Sequence, residues 1–174
     1  MTGPVDVISP EAAKTLDGLF RERVRRSAQV LAYRNFDDEI IVMSNAEKVP
    51  PVDMEAAIMQ DTLFEQVMVM GEGKPYLTAL VVLNREQWTK FASEAGLNVS
   101  MESDMTDPKA EKLILERVQK KIQSFPDYAQ IYRVEIFAQP WTVENGLLTS
   151  TMKLERAKVL GAYQQVVEEL YAGH

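Results

Sequence analysis

The stretch with the most potential chemistry runs from Pro140 to Arg156: Pro-Trp-Thr-Val-Glu-Asn-Gly-Leu-Leu-Thr-Ser-Thr-Met-Lys-Leu-Glu-Arg. It is long, polar and bounded by strongly patterned segments, and loops of this length inside a compact domain are uncommon and often functional. By itself Lys153 reads as one more exposed lysine. Other chemistries are excluded. The chain has no cysteine, so disulfides, thiolate nucleophiles and cysteine-based zinc or iron–sulfur sites cannot form. Its single histidine is the last residue, His174, which reads as a tail and leaves no Ser-His-Asp triad or histidine metal site. Gly71-Glu72-Gly73 lacks the third glycine and the following helix of a dinucleotide fingerprint, and reads as a hairpin turn. Asp37-Asp38-Glu39 precedes a strand, where successive side chains diverge, and reads as a solvated turn rather than a cation site.

The elements that must position Lys153 follow from patterning. A chain of 174 residues, 46% apolar and 26% charged, can bury one core. Nineteen Lys and Arg against 26 Asp and Glu give a net charge of −7, which argues against general nucleic-acid binding. Charge divides the chain: residues 1–35 hold six basic and four acidic residues, the remainder thirteen and twenty-two. Met1 to Pro10 has no basic start or apolar run and reads as no leader. No apolar run reaches the roughly 20 residues that a membrane span needs. In the first piece Leu16, Leu19, Phe20 and Val24 form one helical face, with Arg21, Arg23, Arg25 and Arg26 mostly off it, and residues 30–33 read as a strand. Then come a strand over 39–43, a loop over 44–48 and a helix over 52–59. Strands over 64–70 and 76–83 flank the Gly71–Pro75 turn. Asn84 caps a helix that carries Trp88 and Phe91 and ends at Gly96. A helix opening at Asp107-Pro108 carries Leu113, Ile114, Val118 and Ile122. A strand spans 132–137, an extended loop 140–153, and a closing helix 154–171, with Leu154, Val159, Tyr163, Val166, Val167 and Leu170 inward. The fold class is α+β: a small sheet with packed helices, plus an N-terminal helix. The methionines fall mostly on apolar faces, as core filler.

The segment Trp141 through Arg156 resembles the C-terminal signature of long-chain fatty-acid–CoA ligases, AMP-forming members of the adenylate-forming superfamily. Ser150 stands where the family has Pro, and Glu155 where it has Lys or Arg. Asp37 through Pro51 resembles the family's hinge strand and following loop, with Ala46 in place of the usual Gly, an uncomfortable exchange if φ there is positive. Phe64 through Tyr76 is similar to the same small domain. Together these matches span residues 37–174. Thr15 through Arg34 resembles the extreme N-terminus of such enzymes, so the chain looks like a ligase whose large domain, with its phosphate loop and acyl tunnel, is missing between a helical segment 1–36 and a small domain 37–174.

The resemblance implies a two-step reaction. A fatty-acid carboxylate attacks the α-phosphate of ATP, supplied with Mg2+, and releases pyrophosphate; the thiol of CoA then displaces AMP from the acyl-AMP. Lys153 is implied as the catalytic lysine bridging carboxylate and α-phosphate, a contact whose loss costs about 10²–10³ in rate. Asp37 is implied as the hinge, and Ser44, Glu47 and Lys48 as the loop presented in the thioester step. Trp141, Glu144, Gly146, Thr149, Thr151 and Arg156 complete the signature segment. Fatty acid, ATP and CoA are the expected partners of the full enzyme, none of them held by this chain alone, which is expected to be inactive. The setting is expected to be cytoplasmic, with self-association through the N-terminal helix face. The alternative is a non-catalytic interaction module that keeps the domain's surface and binds a large ligase domain or another protein.

Overall fold

A computed structural model of the chain describes residues 40–97 and 108–172. The chain divides after Asp38, and the architecture below belongs to the second unit, Glu39–His174. The expected N-terminal helix, the strand over 30–33, Asp37 and His174 lie outside the described residues.

Strands β1 (Ile41–Val42) and β2 (Lys48–Val49) form a small antiparallel hairpin. Helix α1 (Pro51–Ile58) follows, with Pro51 at its first position, where a missing N–H costs nothing. Strands β3 (Phe64–Met70) and β4 (Leu77–Leu83) pair antiparallel across the Gly71–Pro75 turn. Helices α2 (Arg85–Glu94) and α3 (Pro108–Lys121) lead to β5 (Ile131–Phe137), which pairs parallel with β4. A parallel partner needs a long crossover, and α2 and α3 lie in it. The sheet order is β3-β4-β5. Helices α4 (Arg156–Ala162) and α5 (Gln164–Tyr171) close the fold.

All seven residues of β4 are buried, the pattern of a strand covered on both faces. Leu77, Ala79, Val81 and Leu83 face a core built with Met54 and Ile58 of α1, Trp88 and Ala92 of α2, and Ile114 and Val118 of α3. Leu80 and Val82 face a second core formed with Met68, Met70, Trp141, Leu147, Leu148, Val159 and Leu170. The sheet is thus the middle of three layers, and the segment carrying Lys153 is part of the third.

Local chemistry accounts for the element ends. Asn84 accepts the Gln87 N–H through Oδ1 at 3.1 Å, the expected cap. Gly96, at φ +63, closes α2 with Leu97 N–H donating to the Ala92 carbonyl at 2.8 Å. The helix starting at Pro108 carries Ile114 and Val118 inward, as its spacing requires, and Ile122, just past its end, continues the buried face.

Three expectations need correction. The stretch 44–48 is not all loop, because Lys48 pairs with Val42 in β2; two residues are too short for an alternating pattern to show. The closing helix is two helices. Leu154 lies outside it, bridged to Leu148, and the axis breaks at Tyr163 (φ −114, ψ 25), whose ring packs 4.4 Å from that of Phe137. Gly161, a poor helix former, precedes the break. The segment 140–153 is not structureless, as shown below.

Ahead of β3, Asp61 caps the chain turn and pairs with Arg117 of α3 through Nε at 2.6 Å and Nη2 at 3.1 Å. Burial by itself raises the Asp61 pKa. The Arg117 hydrogen bond, the Leu63 N–H and the charges of Arg117 and Lys121 outweigh it and hold the carboxyl below its ordinary value. A depressed carboxylate stabilises above its unfolded pKa and loses that contribution as pH falls through its folded one. Asp61→Asn should therefore lower stability by about 1–2 kcal/mol at pH 7, with the gap to wild type closing as urea unfolding is repeated at successively lower pH below 4. A gap independent of pH would show that the pair contributes only through shape.

Candidate functional site

The signature segment is anchored at its start by an amide. Gln66 of β3 accepts the Trp141 N–H at 2.7 Å and donates to the Trp141 carbonyl at 2.9 Å, as a neighbouring strand would. Its indole is 1% exposed, against Phe137. A turn follows. Thr142 N–H donates to Asn145 Oδ1 at 2.9 Å, Asn145 N–H returns to Thr142 Oγ1 at 3.1 Å, and Leu147 N–H also reaches Asn145 Oδ1 at 3.2 Å. Gly146 takes φ +76, where a side chain is disfavoured. Glu144 is exposed at the turn; its own backbone N–H and the Thr142 hydroxyl hold its carboxyl below the ordinary range. Leu147 and Leu148 then plug into the second core.

From Leu147 to Glu155 the chain doubles back. Glu155 N–H donates to the Leu147 carbonyl at 2.9 Å, Leu148 bridges Leu154, and Thr149 N–H donates to the Lys153 carbonyl at 2.8 Å. Lys153 N–H returns to Thr149 Oγ1 at 3.0 Å, and that hydroxyl also meets Thr151 Oγ1 at 3.0 Å. Thr149 and Thr151 therefore both take part in building the tip. Lys153 sits at this tip, its residue exposed. Met152, immediately before it, has φ +63 and is 69% exposed.

Arg156, expected as one more residue of the segment, opens α4 and is an anchor. Its Nη2 lies 2.6 Å from both carboxylate oxygens of Glu55 on α1, and its Nη1 donates to the Val69 carbonyl at 3.3 Å. Glu55 Oε1 also accepts the Val69 N–H at 2.7 Å. Both side chains are largely buried, at 9% and 14% exposure. Glu55 and Gln66 are missing from the sequence expectations. A signal for Glu55 existed: the buried positions of α1 are 51, 54, 55 and 58, a helical stripe on which Glu55 is the only charged residue. Gln66 on a strand carries no such mark.

The other loop is held separately. Ser44 N–H donates to the Lys74 carbonyl at 3.0 Å, Gly73 N–H to the Val42 carbonyl at 2.8 Å, and Val42 N–H to Glu72 Oε2 at 2.8 Å. The β1–β2 turn thus rests on the β3–β4 turn. Ser44, Glu47 and Lys48 are exposed, with the Glu47 N–H held by Asn45 Oδ1 at 3.1 Å. Ala46 takes φ +67, the left-handed conformation in which a glycine would be at ease. Among the described residues no group of three or more His, Asp or Glu side chains could hold a metal ion, and no helix is long and apolar enough to cross a membrane.

Residues 38–174 match the family model of the AMP-binding enzyme C-terminal domain, and the chain belongs to that family. Its folded unit is the small mixed α/β domain of adenylate-forming enzymes. Among curated proteins it is 29% identical over 151 residues to the probable acyl-activating enzyme 16 of Arabidopsis thaliana, covering 86% of this chain and 20% of that protein. It is 28% identical to a chloroplastic long-chain-fatty-acid–[acyl-carrier-protein] ligase of the same plant, over 98% of this chain and 21% of that protein. Long-chain-fatty-acid–CoA ligase 5 of Rattus norvegicus is 29% identical over 76% of this chain and 20% of its own length. The chain thus spans about a fifth of the curated relatives it matches. Among solved structures, the adenylation domain of the carboxylic acid reductase of Segniliparus rugosus, in complex with AMP and a co-purified carboxylic acid, superimposes with TM-score 0.63 at 26% identity, covering 76% of this chain and 20% of that one.

Among the described residues, the two non-glycine positions at positive φ, Ala46 and Met152, fall in these two loops. A left-handed non-glycine residue costs about 1–2 kcal/mol, offset in part by the smaller unfolded-state entropy of the side chain. Ala46→Gly should therefore raise stability by about 0.5–1 kcal/mol, as should Met152→Gly, each read by the urea midpoint at constant m-value. A loss of stability in either would mean that the side chain, not the backbone, decides that turn.

Proposed function

We propose that this chain supplies the C-terminal domain of an AMP-forming fatty-acyl ligase, and that Lys153 acts in its first half-reaction. In that step a carboxylate oxygen of the fatty acid bonds to the α-phosphorus of ATP, delivered as its magnesium complex, and pyrophosphate leaves. Two anions must approach a crowded phosphorus, so positioning and charge stabilisation carry the step. The Lys153 ammonium would bridge carboxylate and α-phosphate. The observation that carries the reading is the hairpin itself: a lysine on an exposed tip whose backbone is tied at both strands, in a domain whose neighbour of known structure was captured with AMP and a carboxylic acid. In the second step a thiol sulfur attacks the acyl carbonyl and AMP leaves. The Ser44–Lys48 loop, held independently on the β3–β4 turn, would be turned to the site then, with Asp37 as the hinge.

CoA is the thiol this reading favours. A carrier-protein thiol is the second reading, supported by the 28% identity to an acyl-carrier-protein ligase across nearly the whole chain. Comparing acyl transfer to CoA and to a holo acyl carrier protein separates the two.

The 174-residue chain alone is expected to catalyse no fatty-acid-dependent ATP–pyrophosphate exchange above blank, because the nucleotide and acyl sites belong to the remainder of a ligase. Exchange above blank would overturn this. In the ligase that contains this domain, Lys153→Ala should slow adenylation by about 10²–10³ and leave thioester formation from supplied acyl-AMP within a few-fold, since a charge absent from the second transition state cannot lower its barrier. Equal losses in both half-reactions would remove Lys153 from its role.

A further inference from the structure

We propose that Glu55 is a positioning residue: acting through Arg156, it sets the stem from which the Lys153 hairpin projects. This rests on the reading of Lys153 as the acting residue, but its structural content stands apart from it.

A carboxylate on the apolar stripe of α1, between Met54 and Ile58, is costly to bury unless paired and fully hydrogen-bonded. It is both. Strand β3 lies at the sheet edge, where N–H and C=O groups face outward unpaired. Glu55 accepts the outward N–H of Val69 and Arg156 donates to its outward C=O, while the two side chains join each other at 2.6 Å. The ion pair thus stands where the next strand's backbone would stand, and it links three elements: α1, β3 and the first residue of α4.

Arg156 is three residues beyond Lys153. Between them, Glu155 N–H is bound to the Leu147 carbonyl and Leu154 is bridged to Leu148. The strained backbone at Met152, φ +63, persists only while its surroundings over-determine it. The stem supplies that constraint from inside the hairpin, and the Glu55–Arg156 pair supplies it from the sheet. One planar guanidinium meets the Glu55 carboxylate through Nη2 and the Val69 carbonyl through Nη1, so its orientation is fixed by two partners at once.

The test is residue-level amide hydrogen exchange on the full 174-residue chain. Glu55→Gln keeps an acceptor for Val69 N–H and removes the counter-charge of Arg156. The expected result is faster exchange, by tenfold or more, at Thr149, Lys153 and Glu155, with the β4 amides of Leu80 and Val81 unchanged, since local openings need not involve the core. The double variant Glu55→Gln with Arg156→Gln should exchange within about threefold of Glu55→Gln alone, because an effect that acts wholly through Arg156 is not lost twice; recovery to wild-type rates would assign the effect to an orphaned charge and overturn the proposal. If Glu55→Gln does not fold, Arg156→Lys, which keeps the charge and loses the planar guanidinium that spans Glu55 and Val69, is read in the same way. Unchanged exchange at the three hairpin amides overturns the proposal, as does an equal rise at Leu80 and Val81, which would make the pair a support of the whole fold. Lys153→Ala is the control: it should leave this exchange pattern intact, so a failure of the catalytic reading in the half-reaction assay remains distinguishable from a failure of the positioning.

Discussion

Strand β4 has no face turned to water. With seven buried residues in a row, the central strand can exist only if both sides of the sheet are covered, and every other element answers to that constraint. Helices α1, α2 and α3 cover one side. The other side is covered by a segment that is polar over most of its length together with α4 and α5: Trp141, Leu147 and Leu148 of the segment, Val159 of α4 and Leu170 of α5 lock into Met68, Met70, Leu80 and Val82. The segment proposed to carry the chemistry is therefore also a layer of the core. That couples its placement to folding: the hairpin cannot leave the sheet without opening the second core.

Apolar contacts alone would let such a layer slide, because they are not directional. The polar contacts remove that freedom. Gln66 of β3 holds the backbone of Trp141 at one end, and Glu55 holds Arg156 at the other. Glu55 and Arg156 also take the outward N–H and C=O of Val69, where no strand of the described residues pairs with β3. Buried polar groups of this kind contribute little net stability, since desolvation offsets the attraction; what they add is register. Between these anchors the hairpin presents an exposed tip, which is what the role proposed for Lys153 requires.

The two loops share a device. Each turns through a non-glycine residue in the left-handed region, Ala46 in one and Met152 in the other, and each is braced by hydrogen bonds from structure outside the turn or across its stem. Backbone strain concentrates where surrounding structure imposes it. Both turns thus take their shape from bonds made beyond the strained residue itself.

Much of the architecture was legible in the residues. The apolar run of β4, the glycine turn before it, the Asn84 cap, the Gly96 stop and the spacing of Ile114, Val118 and Ile122 are local signals, and local physics decided them. The residues of 141–156 were enough to suggest an adenylating family and to single out Lys153. The positive φ at Ala46 was also foreseeable, since a glycine is usual there. What no local pattern contained was the partner of each polar side chain. Residues 55, 69 and 156 are far apart in sequence, and only the packing of α1 and α4 on one edge strand brings Glu55, Val69 and Arg156 within hydrogen-bonding distance. The same holds for the 140–153 stretch, whose polar composition reads as loop because its hairpin bonds are made by backbone and hydroxyls rather than by an apolar repeat, and for the break at Tyr163, where a ring contact with Phe137 on another element ends a helix that periodicity alone would have continued. The sequence by itself determined β3, β4, β5, α2 and α3, because their patterns depend on neighbours a few positions away. The tertiary structure decided which polar groups act together, because that depends on where distant segments meet.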